Sequence, residues 1–166
     1  PIRSNFSNQF LPILYSDLWG DYWGYFSFTS NKLDTGRNQL LIGDYLARVN
    51  IVSIIPSITL LAGLRIGYKT LVLKVKSNFD IFNSLIFLSV LSSFSGYVWF
   101  LIMYPSYNGN TIKAVYIIQL FHLMLFLSAV FLEKIRIYNR KLYILFLFLL
   151  ISTFIHNFSA MLSHYQ

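Results

Sequence analysis

Two carboxylates among aromatic rings, Asp17 and Asp21, are the first candidates for chemistry in this sequence. The stretch also carries three aromatic side chains: Trp19, Tyr22 and Trp23. The carboxylate oxygens could hold a hard cation such as Mg²⁺ or Mn²⁺. They could also bind sugar hydroxyls while the rings stack on the sugar face. The alternative is a membrane-interface loop whose acids are hydrated or pair with nearby bases.

A second candidate is Lys113, which follows a polar turn at 104–110 and precedes a long apolar segment. A lysine in this position can reach lipid phosphate as an ordinary membrane anchor. It can also bind the phosphate of a specific lipid-linked substrate, aided by the free N–H groups of a helix whose N-cap we predict at Thr111. The residue types leave both roles open.

Four uncharged polar side chains lie inside apolar segments: Gln119, His122, His156 and Asn157. Gln119 and His122 are three residues apart, so they share a helix face and should hydrogen-bond another helix inside the bundle. His156 and Asn157 could line an external cavity or pair with Ser and Thr. With His164, the histidines form no metal-ligand motif, and we predict no metal site from them.

Composition places these residues in a membrane protein. The 166 residues are 56% hydrophobic and only 11% charged, with a mean hydropathy of +0.59. A soluble domain carries about 25% charged residues. The net charge of +7 comes from bases at the ends of apolar runs, which is the positive-inside pattern and predicts no nucleic-acid partner. The absence of cysteine excludes disulfides, thiolate metal sites and cysteine nucleophiles.

Four apolar segments are long enough to cross the roughly 30 Å hydrocarbon layer. They lie at about 49–68, 81–103, 114–132 and 142–162. We therefore predict an all-α fold, a polytopic transmembrane bundle of about four helices over residues 48–166. Pro56 should kink the first span. In the second span, the small-residue pairs Ser89–Ser93 and Ser92–Gly96 predict a close helix contact.

Residues 1–47 are predicted to form an aromatic, extracytoplasmic loop at the membrane interface, because Trp and Tyr favour the headgroup zone. A short amphipathic helix should follow at about 38–48. The basic loops at 65–76 and 133–141 should be cytoplasmic. Both chain ends and the 104–113 turn then lie on the outer face of a plasma membrane or its equivalent.

Two runs resemble a known family: LYSDLWGDYW at 14–23 and NTIKAVYII at 110–118. They are similar to the C-terminal half of polytopic GT-C glycosyltransferases of the dolichyl-phosphate-mannose protein mannosyltransferase group. The resemblance extends from about Leu11 to Arg136. It implies transfer of a sugar from a polyprenyl-phosphate-linked donor to an acceptor on the extracytoplasmic face. It also implies that the catalytic Asp lies upstream of Pro1, so that this chain is a fragment inactive alone.

The resemblance further assigns roles to particular residues. Lys113, with Tyr116 after it, resembles the basic contact to the donor phosphate. An outer loop that handles the acceptor, the sugar or a cation would contain five residues: Asp17, Trp19, Asp21, Tyr22 and Trp23. Displacing a sugar from phosphate requires charge stabilisation by a basic residue or a divalent cation. It also requires a base for the acceptor hydroxyl, which these residues do not identify.

Two other functions fit the same composition. A polysaccharide polymerase or flippase subunit would handle anionic glycans with outer-loop arginines, for which Arg3 and Arg37 are the only candidates. A small non-enzymatic membrane protein would act by helix packing. It predicts that Asp17, Asp21 and Lys113 can each be replaced by Ala without loss of function. In every case membrane lipids are expected partners.

Overall fold

The computed structural model describes residues 10–20, 46–73, 77–104 and 112–162 of the chain. Every regular element within these ranges is a helix, which confirms the all-α prediction. In chain order the helices are α1 (Phe10–Trp19), α2 (Leu46–Val52), α3 (Ile54–Val72), α4 (Asn78–Met103), α5 (Ile118–Tyr138) and α6 (Arg140–Leu162). A short 3₁₀ turn, Ala114–Ile117, leads directly into α5.

Three helical segments are long and apolar enough to cross a membrane. They are α4, the continuous segment Ala114–Tyr138, and α6 over Arg140–Phe158. A fourth arises if α2 and α3, which are bent by 43° at their junction, count as one broken span. The described part of the chain therefore supplies three or four of the roughly four spans predicted, each held together by its own backbone hydrogen bonds as hydrocarbon requires.

The bend in the first span lies at Ser53, not at Pro56 as the sequence analysis predicts. Pro56 occupies the first turn of α3. Backbone N–H groups in a first turn have no partner within the helix, so proline costs no hydrogen bond there. The helix starts afresh after Ser53 and then runs unbroken to Val72.

The two predicted basic loops are mostly helix. Arg65 and Lys69 lie within α3, and residues 74–76 fall outside the described ranges. The cluster after the third span continues α5 as far as Tyr138, leaving only Asn139 outside a helix. Lysine and arginine side chains extend from a helix to water without ending it. These basic residues therefore do not mark the helix ends.

Asn139 explains how two long helices follow each other with one residue between them. Its Oδ1 accepts hydrogen bonds from the backbone N–H groups of Lys141 and Leu142, at 3.0 and 3.1 Å. A side-chain oxygen that satisfies the first N–H groups of a helix acts as an N-cap. The N–H of Asn139 also donates to the carbonyl of Ile135 at 2.7 Å, which closes α5.

The region predicted as a loop contains the ten-residue helix α1, and this part of the loop prediction is wrong. Ile13, Leu14 and Asp17 are buried on one side of α1, and the turn continues to Gly20, whose N–H donates to the Ser16 carbonyl at 2.9 Å. The rest of the predicted aromatic loop, and most of the amphipathic helix at 38–48, lie outside the described residues.

The described residues belong to two compact units. The second unit, residues 54–96 and 117–152, packs through two glycines of α3 that are four apart. A Cβ on Gly63 would stand 2.6 Å from the Ser128 backbone N, and one on Gly67 would stand 2.8 Å from the Phe87 Cβ. Absence of these side chains lets α3 pack closely against α5 and α4. Around them lies an apolar core that includes Ile86 and Leu127.

The close contact predicted from the small residues of α4 is not made within the described chain. Nothing lies within 4 Å of a Cβ built on Gly96. Ser89 and Ser92 are exposed, and the Ser89 hydroxyl donates to the carbonyl of Leu85 in its own helix at 2.9 Å. The same spacing occurs in α3 at Gly63 and Gly67, and that is where the backbones approach.

Candidate functional site

The first unit, which comprises residues 1–53, 97–116 and 153–166, contains a group of buried and half-buried polar side chains. We call the following residues the polar cluster: Ser16, Asp17, Asn50, Ser53, Tyr97, Lys113 and Asn157. Uncharged or charged polar groups are costly in an apolar interior unless they have partners. A membrane protein that retains several of them in one place is a candidate for a binding site there.

Asp17 is the acidic member of the polar cluster. Its side chain is 0% exposed, on the face of α1 that also buries Ile13 and Leu14. Asp17 interacts with other groups of the protein. The sequence analysis treats Asp17 as a loop residue over a cavity or in water, and the structure places it in the interior instead.

The contact between α1 and α2 has a close apolar part and a polar part. The Tyr15 hydroxyl donates to the Asn50 carbonyl at 2.7 Å, and Asn50 Nδ2 donates to Ser16 Oγ at 3.3 Å. A Cβ on Gly20 would stand 2.7 Å from Leu46 Cδ2, so this glycine admits the neighbouring side chain. These contacts fix the helix that carries Asp17.

Asn157 joins α6 to the bend of the broken first span. Its side chain is 2% exposed, and Nδ2 donates to Ser53 Oγ at 2.7 Å. His156 Nδ1 lies 2.8 Å from Asn157 Oδ1, so the imidazole is placed to donate and complete the amide's bonding. Asn157 therefore pairs with a serine, as one of the two predicted roles has it, whereas His156 pairs with Asn157.

Lys113 lies at the other end of the polar cluster, directly before the 3₁₀ turn. Its backbone N–H donates to the Tyr97 hydroxyl at 3.3 Å, and its neighbours Ile112 and Ala114 are buried. Lys113 itself is half-buried. Tyr97 also meets the ring of Phe10, with 6.3 Å between centroids. Tyr97 is therefore the side chain that links Lys113 to the part of the unit containing α1.

Tyr116 lies three residues beyond Lys113 and is 55% exposed. Its ring is 6.0 Å from that of Phe100, which in turn is 5.5 Å from the ring of Tyr104. The three rings form an exposed aromatic surface on the unit that contains Lys113. The predicted N-cap of this segment, Thr111, lies outside the described residues.

The structure brings six of the predicted site residues into the first unit: Asp17, Trp19, Lys113, Tyr116, His156 and Asn157. Gln119 and His122 are exposed rather than buried between helices, contrary to the prediction. His122 Nδ1 lies 2.8 Å from the Ile118 carbonyl, one turn back in its own helix. A polar side chain can form its hydrogen bond with a carbonyl of its own helix. The spacing of residues along a helix does not show whether a side chain bonds its own helix or a neighbouring one.

The remaining predicted residues, Asp21, Tyr22 and Trp23, lie outside the described ranges. Across those ranges, no three His, Cys, Asp or Glu side chains are grouped to hold a metal ion. A cation between Asp17 and Asp21 stays a prediction. The buried atoms Trp19 Nε1 and Asn50 Oδ1 have no hydrogen-bond partner among the described residues.

Four cluster members have no site role predicted from the sequence: Ser16, Asn50, Ser53 and Tyr97. Asn50 carries a weak signal, because it shares a polar face with Ser53 in an apolar helix. Tyr97 carries none, since it is one of 12 tyrosines and lies 16 residues before its partner. Comparisons of this chain with protein-family models, with curated proteins and with solved structures find no match.

Proposed function

We propose that this chain forms the donor-binding part of an integral-membrane glycosyltransferase. The enzyme would transfer a sugar from a lipid-phosphate donor to an acceptor on the extracytoplasmic face. The observation that carries the proposal is the hydrogen bond from the Lys113 backbone to Tyr97, within the unit that also buries Asp17. It fixes the backbone of the one cation predicted for the donor phosphate.

The proposed role of Lys113 is to bind the phosphate that links sugar and lipid. An ammonium group binds phosphate as a point charge and stabilises the negative charge that grows as the sugar departs. Buried residues on both sides, Ile112 and Ala114, hold its backbone. A fixed charge needs no reorganisation during the reaction, which is where such a group has most effect.

The sugar would be held by hydrogen bonds and by aromatic surface. Trp19 Nε1 and Asn50 Oδ1 offer a buried donor and a buried acceptor. The exposed ring of Tyr116, beside Phe100, offers a flat face for the apolar side of a pyranose. The acceptor-activating base is not assigned among these residues.

The lipid tail of the donor requires an apolar path beside the phosphate. In the first unit, the end of α4 exposes several large side chains: Trp99, Ile102 and Met103. These lie on a helix long and apolar enough to cross a membrane. A polyprenyl chain could therefore stay in hydrocarbon while its phosphate meets Lys113.

Binding of a fluorescent polyprenyl-phosphate mannose to the purified chain in lipid nanodiscs tests the proposal. We expect Lys113→Ala to weaken binding roughly tenfold or more, because a hydrogen bond to a charged group is worth about 1.5–3 kcal/mol. Lys69→Ala is the matched control, since it removes an exposed lysine of the second unit. It should bind as the unaltered chain does.

Equal affinity of the Lys113→Ala and unaltered chains would remove this lysine from donor binding. Thermal unfolding of both variants shows whether they are folded. If the unaltered chain does not bind the donor at all, the non-enzymatic role in helix packing becomes the better account.

A further inference from the structure

A second site lies where α5 ends and α6 begins. A groove of about 510 Å³ is lined by Arg136, Ile137, Arg140, Tyr143 and Ile144. All five residues belong to the second unit, so the groove is separate from the polar cluster. We call it the arginine groove. It has no part in the proposed donor binding.

The arginine groove is electropositive. The segment 133–141 carries four bases and one acid. The acid, Glu133, accepts a hydrogen bond from Arg136 Nη2 and neutralises part of that charge. Arg140 is exposed and has no carboxylate within ion-pair distance in the described part of the chain. A guanidinium presents several N–H donors in one plane, which suits the oxygens of a phosphate.

Part of the groove wall is apolar, and a small anion would make no use of that part. Ile137 is 77% exposed, and Ile144 is also exposed. From Ile144 an exposed apolar stripe continues along α6 through Phe148 and Ile151, each at helical spacing from the one before. A ligand that matches the whole surface has an anionic head and an apolar tail.

The position of the groove agrees with such a ligand. It lies at the junction of two segments that are each long and apolar enough to cross a membrane. Helix ends of this kind meet the headgroup layer, and their basic residues predict the cytoplasmic side. That leaflet carries anionic lipids, and basic pockets between helices bind their headgroups.

We propose that the arginine groove binds the headgroup of an anionic phospholipid, with an acyl chain along Ile144, Phe148 and Ile151. Arg140 would contact the phosphate directly, and Arg136 would do so from its pair with Glu133. The half-buried phenol of Tyr143 lies in the groove as a further hydrogen-bond donor.

Native mass spectrometry of the full chain, purified with defined lipids, tests the proposal. The probes are dioleoyl phosphatidylglycerol and dioleoyl phosphatidylcholine, offered at equal concentration. We expect phosphatidylglycerol to be retained preferentially. The double variant Arg136→Gln with Arg140→Gln should weaken its binding roughly twenty-fivefold, from about fivefold for each arginine near an anionic surface.

The matched control is Arg65→Gln with Lys69→Gln, which removes two exposed charges of α3 in the same unit. Retention close to that of the unaltered chain supports a specific groove. An equal loss in both double variants would overturn it in favour of diffuse attraction to basic residues. Since the pair with Glu133 could affect folding, Arg140→Gln alone is a second variant, and it should lose about fivefold.

Two further outcomes would also overturn the proposal. Inorganic phosphate at millimolar concentration could displace the lipid completely, which would mark a site for a free anion. A dimer in light scattering that Phe148→Ser dissociates, with no change in lipid retention, would assign the surface to a second copy of the chain.

Discussion

Among the described residues the first unit buries a carboxylate, Asp17, whereas the second unit is tightened by two glycines and its buried polar side chains are all uncharged: Thr59, Asn83, Ser84 and Ser128. Asp17 and Asn157 are almost wholly buried in the first. Gly63 and Gly67 make the closest approaches in the second. Both arrangements occur in one chain with the same overall composition, so hydropathy does not distinguish them.

The proposed function implies a division of labour between the units. Buried polar groups lower the stability of a membrane protein unless they are paired, and they commonly mark substrate or ion sites. Glycine contacts are a way to hold helices together where no hydrophobic force drives association. The proposed function places binding in the first unit, and three sets of substitutions test how each unit is held together.

The largest effect should come from Gly63→Ala. The added Cβ would meet backbone atoms of α5, 2.6 Å from the Ser128 N and 2.7 Å from the Leu127 carbonyl carbon. A helix backbone cannot move aside as a side chain can, and overpacking costs about 1–3 kcal/mol. The free energy of unfolding, measured by denaturant titration in bicelles, should fall by that amount. Unchanged unfolding would mean that α3 and α5 do not pack as described.

An intermediate effect is expected from the hydrogen bond between Asn157 and Ser53. The cycle of Ser53→Ala, Asn157→Ala and the double variant isolates its contribution to the free energy of unfolding. Interhelical hydrogen bonds in membranes average about 0.6 kcal/mol and reach about 1.7. Ser89→Ala is the control partner, because the Ser89 hydroxyl bonds its own helix. Additive effects of Ser53 and Asn157 would contradict the coupling.

The smallest effect should come from Gly96→Ala, which makes the same chemical change as Gly63→Ala. Nothing lies within 4 Å of the added Cβ. Alanine is the better helix former by roughly 0.5–1 kcal/mol, so the free energy of unfolding should stay level or rise slightly. A loss as large as that of Gly63→Ala would show that the exposed small residues of α4 do contact a partner.

The spanning helices could be predicted from the sequence because hydrophobicity adds up over many residues. Twenty apolar residues in a row specify a spanning helix whatever their order, and α4 and α6 were predictable in this way. Helix ends depend on single residues instead. Asn139 ends one helix and caps the next through one side-chain oxygen, in a cluster where charge dominates the pattern.

The candidate site was less predictable, because its contacts join distant positions. Asn157 and Ser53 are 104 residues apart, and Asn50 and Ser16 are 34 apart. Small-residue spacing illustrates the same limit. It occurs in both α3 and α4, and only the packing shows that Gly63 and Gly67 use it. When two helices have the same small-residue spacing, only the folded structure shows which of them packs against another helix.

Photocrosslinking with a diazirine-bearing polyprenyl-phosphate mannose tests the division of labour most directly. Peptide mapping by mass spectrometry locates the label after irradiation of the full chain in nanodiscs. We predict that the label falls on first-unit peptides that contain Tyr97, Lys113 and Tyr116, and that excess unlabelled donor removes it. Competable labelling concentrated instead on second-unit peptides around Gly63 and Leu127 would contradict the account.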